Sequence, residues 1–127
     1  MTTQTAKKTN KKVLICDDEE GIRESLKLIL SDFYDLAIAT HGDDCLHMLT
    51  NDTSIKTVLL DIKMPKIHGL DILKSIKSKR PDVKVIMVTG YRSVETASEA
   101  SKLGADGYIV KPFKSDEILE TVKRNLT

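Results

Sequence analysis

Thr57-Val58-Leu59-Leu60-Asp61 is an unbroken apolar run that ends in a carboxylate, and three other runs in the chain share its form. Lys12-Val13-Leu14-Ile15-Cys16 leads into Asp17-Asp18, Val85-Ile86-Met87-Val88 into Thr89, and Gly107-Tyr108-Ile109-Val110 into Lys111-Pro112. Short runs rich in Val, Ile and Leu that do not alternate with polar residues read as parallel strands covered on both faces. In an open parallel sheet, ligands bind outside the carboxyl ends of the strands. The polar residue after each run then faces one crevice. Three carboxylates, a hydroxyl and an ammonium suit a divalent cation together with a phosphoryl group.

Helical spacing fills the intervals. Ile22, Leu26, Ile29 and Leu30 follow the first run, and Leu36-Ala37-Ile38-Ala39 forms a second short strand. Leu46 and Leu49 mark a helix opening near Gly42-Asp43. Leu70, Ile72, Leu73 and Ile76 mark another that stops before Pro81. Ser93 is an expected N-cap with Glu95 in the first turn, and Gly104 an expected left-handed C-terminal residue. Ser115-Asp116-Glu117 opens a last helix carrying Ile118, Leu119, Val122 and Leu126. Five β-α units with short, right-handed crossovers place helices on both faces of the sheet. The reading is one α/β domain over 12–127, preceded by a flexible basic tail over 1–11, with no room for a second domain.

With 127 residues and 40% apolar composition the chain can bury a proper core. Net charge is +1, but Lys7, Lys8, Lys11 and Lys12 crowd the start without an acid, so the body is net acidic. A basic face for nucleic acid is not expected on such a body. Cys16 and Cys45 have no metal-ligand spacing and read as buried thiols. No apolar run has the length of a membrane span, and the polar start lacks a signal-peptide core, so a cytoplasmic location is expected.

Each polar strand end also has an ordinary reading. Asp17, Asp18, Glu19 and Glu20 lie at the start of a helix whose dipole favours acids, and Glu19, Glu20 and Glu24 suit that role. Asp17 and Asp18, at the strand terminus itself, suit a metal better, and Mg²⁺ takes few carboxylates while keeping its waters. Asp61 could be a turn residue, Thr89 a strand residue and Lys111 a surface lysine. Their joint occurrence on successive strand ends is what carries the site. An X-Pro bond such as Lys111-Pro112 is a place where cis geometry is found.

Together these residues resemble the receiver domain of two-component response regulators, a flavodoxin-like (βα)5 fold with strand order 2-1-3-4-5. The resemblance spans about residues 12–126 and includes the stretches Leu59–Pro65 and Gly104–Tyr108. It implies that Asp61 is the phosphoacceptor and that Asp18 is a direct Mg²⁺ ligand, with Mn²⁺ able to substitute. It further implies that Asp17 holds metal-bound water and that the Lys63 carbonyl completes the ligands. Thr89 and Lys111 would contact the phosphoryl group, and Tyr108 occupies the family's aromatic switch position. Lys63 and Tyr91 flank the path of the attacking water in the family, so slow self-hydrolysis is expected. His68 departs from the acid or amide common before the glycine.

The donor implied is a sensor histidine kinase or a histidine phosphotransfer protein. The output is a downstream protein partner recognised through the fourth helix, fifth strand and fifth helix, with no membrane or nucleic-acid contact. The resemblance implies phosphoryl transfer onto the chain itself, not turnover of a substrate. A monomer and a phosphorylation-dependent dimer both stay open, as do a complete single-domain regulator and a receiver cut from a larger one. An aspartate-nucleophile phosphohydrolase of the haloacid-dehalogenase type fits poorly. Lys63 stands where its second acid belongs, and no cap domain is present. A flavin-binding flavodoxin relative fits no better, because Asp17–Glu20 replaces its phosphate loop.

Overall fold

The computed structural model describes residues 11–62 and 66–126, and of residues 66–68 the backbone alone. Strands and helices alternate in the order β1 (Lys12–Cys16), α1 (Glu20–Leu30), β2 (Asp35–Ala39), α2 (Gly42–Asn51), β3 (Ile55–Leu60), α3 (Lys66–Lys79), β4 (Lys84–Thr89), α4 (Val94–Lys102), β5 (Gly107–Val110) and α5 (Ser115–Leu126). All strand pairs are parallel, in the order β2-β1-β3-β4-β5. The expected fold class is therefore the observed one. Two strands begin earlier than the sequence pattern indicates: β2 at Asp35 and β3 at Ile55. Both extra starts pair with Lys12 at the head of β1. Asp35 is an exposed residue recruited by the ladder, whereas Ile55 is a buried core residue set off from Thr57 by a shift in register.

Alternation along each strand divides the interior in two. Leu14 and Cys16 of β1, Val58 and Leu60 of β3, and Val85 and Met87 of β4 pack on one face with Cys45 and Leu49 of α2, Leu73 and Ile76 of α3, and Ala100 of α4. Val13, Ile15, Leu59, Ile86 and Val88 fill the other with Leu26 and Leu30 of α1 and Ile118 and Val122 of α5. Both layers are solid apolar packing, which explains why the strands read as continuous apolar runs.

Polar devices fix the ends of the elements. Ser93 caps α4, its hydroxyl accepting from the Thr96 N–H at 2.9 Å. Gly104 follows α4 with φ +103°, a conformation that side chains with a Cβ rarely adopt. Asp106 accepts from the Val85 N–H at 2.9 Å and pairs with Lys77 at 3.1 Å, tying the start of β5 to β4 and α3. Opposite the strand carboxyl ends, the Arg80 guanidinium donates to the carbonyls of Leu49, Asp52 and Ile55 and pairs with Asp82. One cation thus joins the end of α2, the start of β3 and the turn after α3. Cys16 and Cys45 are free, buried thiols. No helix among the described residues is long and apolar enough to cross a membrane.

One residue works against the fold. Thr57 on β3 is fully buried, and among the described residues its hydroxyl has no hydrogen-bond partner. A buried hydroxyl without a partner keeps its desolvation cost, and an isosteric methyl does not. Thr57→Val is expected to stabilise the chain by about 1 kcal/mol, a rise in melting temperature of about 4 °C in a thermal denaturation scan.

Candidate functional site

The strand ladder carries on by one residue at three places in the crevice. The Asp61 N–H donates to the Cys16 carbonyl at 3.1 Å, and the Lys111 N–H donates to the Thr89 carbonyl at 2.8 Å. The Asp17 N–H likewise donates to the Ala39 carbonyl at 3.2 Å. Asp17, Asp61 and Lys111 therefore leave the sheet with their backbones still pinned to neighbouring strands. Arg23 on α1 adds a bond to the Asp17 carbonyl at 3.1 Å. The peptide bond between Lys111 and Pro112 is cis.

Their side chains meet. Lys111 Nζ lies 2.9 Å from Asp17 Oδ2, 2.9 Å from Glu19 Oε1 and 3.5 Å from Asp61 Oδ2. Asp17 and Asp61 are almost enclosed, with side chains 3% and 9% exposed, and Lys111 is 13% exposed. Carboxylate oxygens of Asp17, Glu19 and Asp61 lie within 4.8 Å of one another, a spacing that suits shared coordination of a divalent cation. Asp18 is exposed beside them and lines an open groove together with Glu19, Asp61, Gly90, Tyr91 and Lys111. On the other side of Asp61, a cleft of about 380 Å³ runs between the ends of β1, α2 and α3, past Thr40, His41 and Asp71.

The electrostatics show an excess of negative charge. Burial, then the charge of Asp17, push the Asp61 carboxyl up to about 6, against the opposing pull of Lys111. For Lys111, burial acts downward, but hydrogen bonds to Glu19 and Asp17 and the charges of Asp61 and Asp17 outweigh it and raise the ammonium above its ordinary value. One cation is thus shared among three acids and leaves Asp61 undercompensated. The site has the donor set and the unmet charge that a hard divalent cation answers.

Thr89 and Tyr108 stand one step behind. The buried Thr89 hydroxyl donates to the Ile62 carbonyl at 3.4 Å, a long bond, and accepts from the Tyr91 N–H at 3.2 Å. Tyr108, half-buried on β5, donates its hydroxyl to the Tyr91 carbonyl at 2.8 Å. Arg92 reaches the Lys111 carbonyl at 3.2 Å. The loop between β4 and α4 is thereby tied to the acceptor strand, to β5 and to the residue that follows it.

Of the residues singled out from the sequence, Asp17, Asp61, Thr89 and Lys111 converge at the strand ends, with Asp18, Tyr91 and Tyr108 around them. Lys63 lies outside the described residues. Glu19 has the position of a residue that favours the helix dipole, but its side chain makes no capping bond and pairs with Lys111. Arg23 and Arg92 carry no sequence signal, since both act through backbone carbonyls and no pattern of residue types marks such contacts.

The comparisons with known proteins agree with this geometry. The family model for the response regulator receiver domain matches residues 13–123. Sporulation initiation phosphotransferase F of Bacillus subtilis (strain 168) is 36% identical over 118 residues, covering 92% of this chain and 94% of that protein. Regulatory protein AtoC of Escherichia coli (strain K12) is 37% identical over 116 residues, or 91% of this chain, which spans only 25% of AtoC. The crystal structure of a CheY-like response regulator receiver domain protein from Methanospirillum hungatei JF-1 superposes with a TM-score of 0.84 at 38% identity, over 91% of this chain and 93% of that one. With its strand order, its crevice of acids and its matched residues all in agreement, the chain belongs to the receiver domains of two-component response regulators.

Proposed function

We propose that this receiver takes a phosphoryl group onto Asp61 from a phosphohistidine donor, a sensor histidine kinase or a histidine phosphotransfer protein, in a Mg²⁺-dependent reaction. The observation that carries the reading is the placement of Asp61: a nearly enclosed carboxylate 3.5 Å from the Lys111 ammonium and open to the groove. A carboxylate of this kind can act as a nucleophile toward phosphorus and form an acyl phosphate. Phosphoryl transfer asks the protein chiefly for positioning and for charge to meet the equatorial oxygens. Lys111 supplies a positive charge, and its backbone tether to Thr89 fixes where that charge sits.

Mg²⁺ fits the residues present, and Mn²⁺ fits the same oxygen set. Asp17, Asp18 and Asp61 would hold the ion, with the Lys63 carbonyl as a further ligand. Bound there, it supplies charge neutralisation for the acceptor and the phosphoryl oxygens. Asp17 is already turned into the site by its bond from the Glu19 N–H, and Asp61 is held by its backbone bond to Cys16.

The output would follow from Thr89. Its long bond to Ile62 is easily exchanged for a phosphoryl oxygen, and its other partner, Tyr91, is bonded through its carbonyl to Tyr108. A change at Thr89 is thus passed to the loop before α4 and to the edge strand, and the α4-β5-α5 face would present the result to a protein partner. Under this reading residues 12–127 are the receiver and 1–11 a basic tail. The location is cytoplasmic, where histidine kinases present their phosphoryl groups. The receiver could act alone or within a longer regulator.

Incubation with acetyl phosphate and Mg²⁺ is expected to add one phosphoryl group, read by intact mass, and Asp61→Asn should abolish it. Undiminished labelling of Asp61→Asn would overturn the assignment of the acceptor. Burial of Asp61, together with the neighbouring charge of Asp17, gives a second expectation, for metal-free protein. The folded Asp61 carboxyl titrates near 6 and the unfolded one at its ordinary 3.8, so the fold binds this proton more tightly. The associated stability is fully present below the unfolded value and is lost as pH rises through 6. Melts in EDTA should therefore show a lower midpoint at pH 7.5 than at pH 5.5 from this group. Asp61→Asn should flatten that slope and gain about 1–2 kcal/mol at the higher pH, allowing for solvent screening. A third expectation concerns lifetime. Tyr91 lines the groove through which water must reach the acyl phosphate, so Tyr91→Ala should speed its hydrolysis by about tenfold, about 1.4 kcal/mol in barrier. A decay assay on purified phosphoprotein measures this.

A further inference from the structure

Glu19 holds an unusual position among the acids of the crevice. It is the N-cap residue of α1, with extended backbone (φ −88°, ψ 116°), yet its side chain does not cap the helix. Its N–H is bonded to Asp17 Oδ1 at 2.9 Å, and its carboxylate reaches Lys111 Nζ at 2.9 Å. At 60% side-chain exposure it is the solvent-side partner of an ammonium whose other partners are enclosed. It also lines the open groove that leads to Asp61. A donor approaching Asp61 through this groove meets an exposed carboxylate beside the more enclosed Lys111, whose two contacts at 2.9 Å are to Asp17 and Glu19 and not to Asp61.

We propose that Glu19 is a specificity-determining residue: its carboxylate at the mouth of the groove disfavours dianionic acyl phosphates and so favours donors with a phosphorus–nitrogen bond. This deepens the reading of Asp61 as acceptor and rests on it. An acyl phosphate such as acetyl phosphate arrives with two negative charges. In the reaction an Asp61 Oδ–P bond forms, the acetyl O–P bond breaks, and acetate leaves with the bonding pair. Phosphoramidate arrives as a zwitterion with one net negative charge, its nitrogen already protonated. The Asp61 Oδ–P bond forms, the P–N bond breaks, and ammonia leaves with that pair and no further proton. A fixed charge at the mouth opposes the first donor more than the second, and the difference weakens as salt screens it. Removing Glu19 also frees Lys111 from one of its two close contacts, which helps both donors alike. The donor ratio therefore isolates the charge effect.

The test uses the full chain as wild type, Glu19→Gln and Glu19→Ala, each at a Mg²⁺ concentration shown by calorimetry to saturate it. Second-order labelling rates are measured with acetyl phosphate and with phosphoramidate. In both variants the acetyl phosphate rate is expected to rise about tenfold and the phosphoramidate rate by less than about threefold, with the difference shrinking at high salt. A donor ratio within about twofold of wild type in both variants, whatever the separate rates do, overturns the proposal. So does a parallel loss with both donors accompanied by weaker Mg²⁺ binding, which would make Glu19 a metal ligand. Failure of the acceptor assignment looks different: wild type is then labelled by neither donor, or Asp61→Asn is labelled as well as wild type.

Discussion

A single ammonium shared by three carboxylates is the constraint around which this molecule is arranged. Lys111 cannot neutralise Asp17, Glu19 and Asp61 together, and burial, joined by the charge of Asp17, pushes the Asp61 carboxyl above the ordinary range. Like charges do not stay together without support. The support is the sheet: Asp17, Asp61 and Lys111 are each held by a backbone bond to a neighbouring strand at the point where they leave it. The two apolar layers that clamp the sheet thus hold these like charges together in one crevice.

The polar contacts behind the acids have a different character. Thr89, Tyr91, Tyr108 and Arg92 form a chain of hydrogen bonds that runs through backbone carbonyls of loops. Its link from Thr89 to Ile62 is long and hence inexpensive to break. The bond of Tyr108 to the Tyr91 carbonyl is short and, with the ring packed against the α2-α3-α4 side of the core, orders the loop before α4. The acid cluster and this hydrogen-bond chain meet at one threonine, Thr89, through its carbonyl on one side and its hydroxyl on the other.

Much of this could be read from residue order. Strands buried on both faces announce themselves as unbroken apolar runs, and Val58-Leu59-Leu60 and Val85-Ile86-Met87-Val88 did so. Ser93 and Gly104 were legible because capping and left-handed backbone have few chemical solutions. Asp17, Asp61, Thr89 and Lys111 were legible because strand ends of a parallel sheet must converge. Glu19 was not: next to three other acids at a helix start, the dipole accounts for it, and only the path of its side chain shows the bond to Lys111. The early start of β2 was hidden because Asp35 carries no strand signal of its own and is drawn in by pairing with Lys12. That of β3 was hidden because Lys56, skipped where the register shifts, interrupts the apolar run between Ile55 and Thr57. Thr57 looked like an ordinary β-branched strand residue, and nothing in the sequence reveals that its hydroxyl goes without a partner.

Arg80 separates two duties that many small folds must combine. By joining the end of α2, the start of β3 and the turn after α3, it secures the pole opposite the crevice with one side chain. The loops of the crevice are then free of that mechanical role. Glu19, Tyr91 and Arg92 sit at the rim, away from the contacts of Arg80 that close the opposite pole. This separation is a route to divergence: the rim can drift at one end while the architecture is inherited from the other.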